Sequence, residues 1–103
     1  ALAGEAETAD VIIVDCLTLW MNNLIMEESG DEAIFARVER LAAALAKAGC
    51  PVFLVSNEVG AGIVPENPLA RRFRDLAGFA NQRMAACADR VVWMVAGIPV
   101  PVK

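Results

Sequence analysis

Three short apolar runs punctuate the chain: Val11–Val14, Val52–Val55 and Val91–Val95. All three are rich in valine or isoleucine and lack polar alternation, which predicts strands of a parallel sheet covered by helices on both faces. Helical spacing fills the intervals. Leu17 to Glu28 predicts one helix. A second opens after "SGDE", where Ser29 and Glu32 have capping-box spacing. It places Ile34, Val38, Leu41 and Leu45 on one face, and Gly49-Cys50-Pro51 stops it. The third opens at "ENPLARRF", with Asn67 as N-cap and Pro68 at the first helical position. Its stripe runs Leu69, Phe73, Leu76, Ala80, Met84 and Cys87, spaced by threes and fours. Gly78 interrupts this helix at about 1 kcal/mol relative to alanine, a cost that predicts close packing there. The tail "GIPVPVK" predicts a short edge strand, since its prolines exclude a central position.

Strands alternating with helices predict an α/β architecture with right-handed crossovers. Three core strands are few for a self-sufficient doubly wound sheet. The expectation is that residues 1–103 form the back part of a larger α/β domain, with residues 1–9 as an upstream tail or linker. Composition adds weight to this: 57% of the 103 residues are hydrophobic, a surplus for so small a chain and one that predicts burial against further polypeptide. A formal charge of −4 gives no support for a nucleic-acid surface. Nor is membrane insertion supported, because the strongest apolar stretch, "VIIVDCLTLWM", carries Asp15 and falls far short of a span. Cys16, Cys50 and Cys87 form no CxxC pair, and no histidine is available to complete a zinc site. They read as reduced cytosolic thiols in small core positions.

Chemistry concentrates at strand ends. In open α/β sheets, ligands sit beyond the carboxyl ends of strands. "VIIVDC" delivers Asp15 there, in the form of a Walker B carboxylate that meets Mg²⁺ beside a nucleotide's phosphates; a helix-capping aspartate has the same local pattern. Thr18 lies within reach of a ligand at that end, or bonds its own backbone, while Asn22 and Asn23 read as solvent-facing or helix-packing groups. "FLVSNE" likewise delivers Ser56, Asn57 and Glu58, and Gly60 and Gly62 allow positive φ or close backbone approach. Two strand ends placing acids on one edge is a site-like arrangement. Arg71, Arg72, Arg74 and Asp75 follow in the third helix. Arg71 and Asp75 have the spacing of a surface ion pair, and an arginine fork turned toward phosphates is the alternative. No GxxxxGK[ST] loop occurs in these residues, so nothing here cradles a triphosphate. With no histidine either, acid–base chemistry falls to carboxylates.

Taken together, "DCLTLWMNNL", "VFLVSNEVGAGIVPENPLARRFRDLAG", "NQ" and "GIP…K" resemble the bifunctional adenosylcobinamide kinase/adenosylcobinamide-phosphate guanylyltransferases of cobalamin biosynthesis, from Asp10 to Lys103. The resemblance implies a P-loop nucleotide-hydrolase-like parallel sheet with flanking helices, here lacking its N-terminal P-loop part. It also implies a cytoplasmic homotrimer. Such enzymes phosphorylate adenosylcobinamide with ATP or GTP. They then transfer GMP from GTP to that phosphate through a guanylylated histidine, giving adenosylcobinamide-GDP. By position, Asp15 matches the acidic end of the Walker B-like strand, a nucleotide, Mg²⁺ and catalytic position, with Thr18 beside it on the nucleotide side. Glu58 falls in the "NEVG" loop as a catalytic and substrate-binding position, joined by Asn57, and Arg71 lies in the "LARxFRD" helix on the substrate side. Phe79 stands where a basic residue is expected, and Ala61 where methionine is common. The P-loop and the guanylylated histidine of the family lie upstream of the matched residues, so the chain alone is expected to be inactive. Two other classes stay open: an assembly or nucleotide-binding module packing on a separate P-loop partner, and a small independent α/β binding domain.

Overall fold

The computed structural model describes residues 10–27, 30–59 and 66–103. Strand β1 (Ile12–Asp15) leads into helix α1 (Leu17–Glu27) and helix α2 (Asp31–Ala46), and strand β2 (Val52–Val55) follows. Helix α3 (Pro68–Cys87) then precedes strands β3 (Val92–Val95) and β4 (Ile98–Pro101). β1 and β2 pair in parallel, with Ile12 opposite Val52 and Asp15 opposite Val55. The α/β reading of the alternating pattern therefore holds for this unit.

Each helix forms where its local signals are strongest. At α3 the Asn67 side chain accepts from the backbone N–H of Leu69 at 2.8 Å and of Ala70 at 3.3 Å. Pro68 stands just inside the helix, where its missing N–H costs nothing. The α3 stripe buries Leu76, Ala80 and Met84, and Phe73 packs beside them, whereas the outermost members Leu69 and Cys87 are exposed. At α2 the cap position is Gly30, with no side-chain cap bond; the predicted partner Ser29 lies outside the described residues. The helix ends at Ala46, short of the predicted Gly49 stop. Its face is as predicted, with Ile34 and Val38 fully buried and Leu41 and Leu45 packed against the core. α1 closes that core through Leu17, Met21, Leu24 and Ile25.

Two expectations are corrected. The strands were predicted to be covered on both faces, but among the described residues the helices cover one. Ile12 is buried and Val14, Val52 and Leu54 are half-buried on the helix side. Partners in a parallel ladder share a face, so Ile13, Asp15, Phe53 and Val55 share the other, where Ile13 is 69% and Phe53 61% exposed. The apolar run at 91–95 also does not join this sheet. β3 pairs antiparallel with β4 in a separate hairpin, Val92 opposite Pro101 and Val95 opposite Ile98. The predicted tail strand is thus present, as the partner of β3. Ala96 and Gly97 make the turn with positive φ at both, 51° and 77°, the requirement of a two-residue type I′ hairpin.

Of the cysteines, all three are free, as expected, but Cys16 and Cys50 are half-buried and Cys87 is exposed, so none is a core residue. No helix among the described residues is long and apolar enough to cross a membrane.

Candidate functional site

The parallel register ends β1 and β2 together, so the residues after Asp15 and Val55 leave the sheet at one edge. That edge is where an α/β sheet presents polar groups to ligands. Asp15 is exposed, on the face away from the helices. It borders an open depression along β1 that is also lined by Ile13, Cys16, Leu19, Trp20 and Asn23.

Behind this edge lies a set of hydrogen bonds that links three elements. Thr18, in the first turn of α1, is buried, and its hydroxyl accepts from the Asn57 side-chain amide at 3.2 Å. The Cys16 sulfur lies 2.9 Å from the same Thr18 oxygen. Asn81, on α3, donates through Nδ2 to the Asn57 carbonyl at 3.0 Å, and its Oδ1 accepts from the Ser56 hydroxyl at 2.5 Å. One helix turn earlier, Gly78 faces Val59: a Cβ on Gly78 would stand 3.9 Å from the Val59 Cγ2. A further turn toward the N-terminus, Arg74 donates from Nε to the Val59 carbonyl at 2.8 Å. The close packing expected at Gly78 is therefore ordinary van der Waals contact, and the helix touches the β2 exit over residues 56–59.

Of the predicted site residues, Asp15, Thr18, Asn57 and Glu58 all fall at this edge, with Asn57 bonded to Thr18. Glu58 is exposed between Asn57 and Val59, whose carbonyls α3 contacts. Arg71 is exposed in the first turn of α3 and forms no ion pair with Asp75. Its neighbours have other tasks: Arg72 pairs with Asp31 at 3.1 Å across to α2, and Arg74 holds the Val59 carbonyl. Gly60, Ala61 and Gly62 lie outside the described residues. Asn22 and Asn23 are exposed, in keeping with the sequence reading.

The sequence reading left Asn81 and Arg74 without a specific contact. Asn81 sits in the "NQ" that helped carry the resemblance, and Arg74 in its arginine cluster, yet neither signal tells which way a helical side chain points. Phe79, the departure from the basic residue, packs against Phe35 with ring centroids 4.6 Å apart and planes tilted by 55°. It joins the core edge between α2 and α3, where a charge would be stranded.

The Cys16 thiol is pushed below its ordinary range, first by the bond with the Thr18 hydroxyl and then by the Leu19 backbone N–H. Among the described residues, no group of three or more His, Cys, Asp or Glu side chains is gathered to hold a metal. At this edge the Asp15 carboxylate is a donor of the kind Mg²⁺ uses when it arrives with phosphates, since Mg²⁺ takes one or two carboxylates plus substrate oxygens.

A family model described as cobinamide kinase / cobinamide phosphate guanyltransferase matches residues 1–102. The chain is 43% identical to the bifunctional adenosylcobalamin biosynthesis protein CobU of Salmonella typhimurium LT2, over 99% of this chain and 63% of that protein. It is 42% identical to the protein of the same name from Escherichia coli K12, over 91% of this chain and 59% of that protein. The bifunctional adenosylcobalamin biosynthesis protein CobP of Pseudomonas aeruginosa PAO1 is 40% identical, over 99% of this chain and 58% of its own length. The chain thus spans about three-fifths of the length of the relatives it matches.

Proposed function

This chain belongs to the cobinamide kinase / cobinamide phosphate guanyltransferase family, and we propose that it forms one wall of a bifunctional active site. That site phosphorylates adenosylcobinamide with ATP or GTP, then transfers GMP from GTP to the phosphate to give adenosylcobinamide-GDP. The observation that carries this reading is the joint strand edge, where Asp15 ends β1, Glu58 follows the end of its parallel partner β2, and the Asn57–Thr18 bond ties the two exits together.

In this reading Asp15, with Thr18 behind it, faces the nucleotide. Asp15 would hold the Mg²⁺ that accompanies the nucleotide and offsets phosphate charge when bound. Asn57, Glu58 and Arg71 face the cobinamide substrate and its phosphate, Arg71 through its planar fork and Glu58 as the carboxylate for proton transfer. The parent fold is a P-loop nucleotide-hydrolase-like sheet, assembled as a cytoplasmic homotrimer. The 103 residues contain neither a GxxxxGK[ST] loop nor a histidine, so by this reading they do not turn over substrate alone.

The test grafts this chain into the E. coli relative in place of its matching part and follows phosphate transfer from ATP to adenosylcobinamide. Asp15→Asn should lower kcat/KM by about 100-fold, the scale of losing one preorganised charge contact. Unchanged turnover and nucleotide affinity would remove Asp15 from the site.

A second reading rests on the bare sheet face and hairpin, where Ile13, Phe53, Trp93 and Ile98 are about half exposed or more. There the chain is a non-catalytic assembly module packing on a separate P-loop protein. Full activity of the graft in the absence of any added partner would argue against it.

A further inference from the structure

The α3 contacts single out one stripe of that helix. Arg74, Gly78 and Asn81 follow at intervals of four and three, so they lie above one another on a single face. All three meet the segment leaving β2. Arg74 holds the Val59 carbonyl, Gly78 faces Val59, and Asn81 holds the Asn57 carbonyl while accepting from Ser56. Asn57 in turn donates to the buried Thr18. Two of these bonds go to backbone carbonyls at positions 57 and 59, the residues flanking Glu58. Bonds to carbonyls fix the path of the chain on either side of Glu58. A segment whose side chains serve a ligand is well supported in this way.

We infer that Asn81 and Arg74 are positioning residues: they hold the Ser56–Val59 segment so that Glu58 and Asn57 stand at a fixed distance from Asp15. The inference rests on the reading of Glu58 as a substrate-facing group. Neither residue touches substrate; each acts through the backbone it holds. Asn81 has the larger part, because its amide serves both Ser56 and Asn57, and Asn57 carries the contact on to α1.

The experiment uses the same grafted full-length enzyme and a double-mutant cycle between Asn81→Ala and Glu58→Gln. If Asn81 works through Glu58, Asn81→Ala lowers kcat/KM for adenosylcobinamide by about 10- to 100-fold, the scale of a misplaced catalytic group. The same substitution in the Glu58→Gln background then costs much less. KM for ATP should stay within about twofold throughout, a split that general destabilisation does not produce. A costly Glu58→Gln with a fully additive Asn81→Ala overturns the positioning role and leaves the proposed function standing. A silent Glu58→Gln takes Glu58 out of the site and overturns both. Should Asn81→Ala unfold the chain, Asn81→Asp serves in its place, since it keeps the acceptor for Ser56 and loses the donor to Asn57. Arg74→Lys is expected to fall between Asn81→Ala and the parent.

Discussion

The Asn57 side-chain amide and the Thr18 hydroxyl, 39 positions apart, are joined at 3.2 Å. The sheet ladder sets the distance between β1 and β2 but ends at Asp15 and Val55. Beyond it, this bond ties the β2 exit to the first turn of α1. Thr18→Val keeps the shape of the side chain and deletes the acceptor. Equilibrium urea unfolding should show a loss of about 1 kcal/mol, the usual worth of such a bond where the orphaned donor can turn to water. No change in midpoint would mean that the two exits are held by contacts other than this bond.

The same substitution bears on Cys16. A depressed thiol pKa gives more thiolate at a given pH, and thiolate is the form that reacts. Since the Thr18 hydroxyl leads the causes of that depression, Thr18→Val should move the Cys16 alkylation profile to higher pH. Iodoacetamide labelling across pH, read peptide by peptide in a mass spectrometer, makes the comparison. A profile that stays in place would assign the depression to the backbone bonds from Leu19 and Thr18 instead.

Space does not require glycine at position 78. A Cβ there meets Val59 at 3.9 Å, an ordinary contact, while glycine inside a helix costs about 1 kcal/mol relative to alanine. Gly78→Ala should therefore raise stability by about 0.5–1 kcal/mol, visible as a higher melting temperature. A destabilised variant would show that Val59 and the segment it belongs to need the missing methyl's room.

At the β3–β4 turn the strain lies on Ala96, a non-glycine residue at φ 51°. Asparagine tolerates that region and is the preferred first residue of a type I′ turn. Ala96→Asn is expected to stabilise by about 1 kcal/mol, the low end of the left-handed cost for an L-residue, measured in the same urea titration. A loss would indicate that the hairpin turn is shaped by contacts other than its own backbone.

Local signals were read well from the chain. Asn67 and Pro68 announce α3 because capping depends on a few neighbouring residues, and the stripe through Leu76, Ala80 and Met84 follows from helical geometry alone. The position of Asp15 and Glu58 at one sheet edge is legible because strand ends are marked by the stop of an apolar run. Long-range pairing was not legible. The run at 91–95 looks like the other two, and only the position of "GIPVP" against it makes a hairpin. Coverage of one sheet face in place of two is decided by what lies above a strand, which no local spacing records. Asn81 escaped for the same reason: its partners are 24 and 25 positions away.

Pairing β1 with β2 brings together residues about forty positions apart, as Ile12 and Val52 are. Closing so long a loop has an entropic cost that nothing in the strands offsets until contacts form. α1 and α2 lie inside that loop and shorten it once folded, so the helices should precede the sheet along the folding path. Pulse-labelled hydrogen exchange would then protect amides of α1 before those of β2; simultaneous protection would contradict the order. In kinetic terms, the edge that brings Asp15 and Glu58 together is then expected late, and a chain caught midway would be helical without that edge.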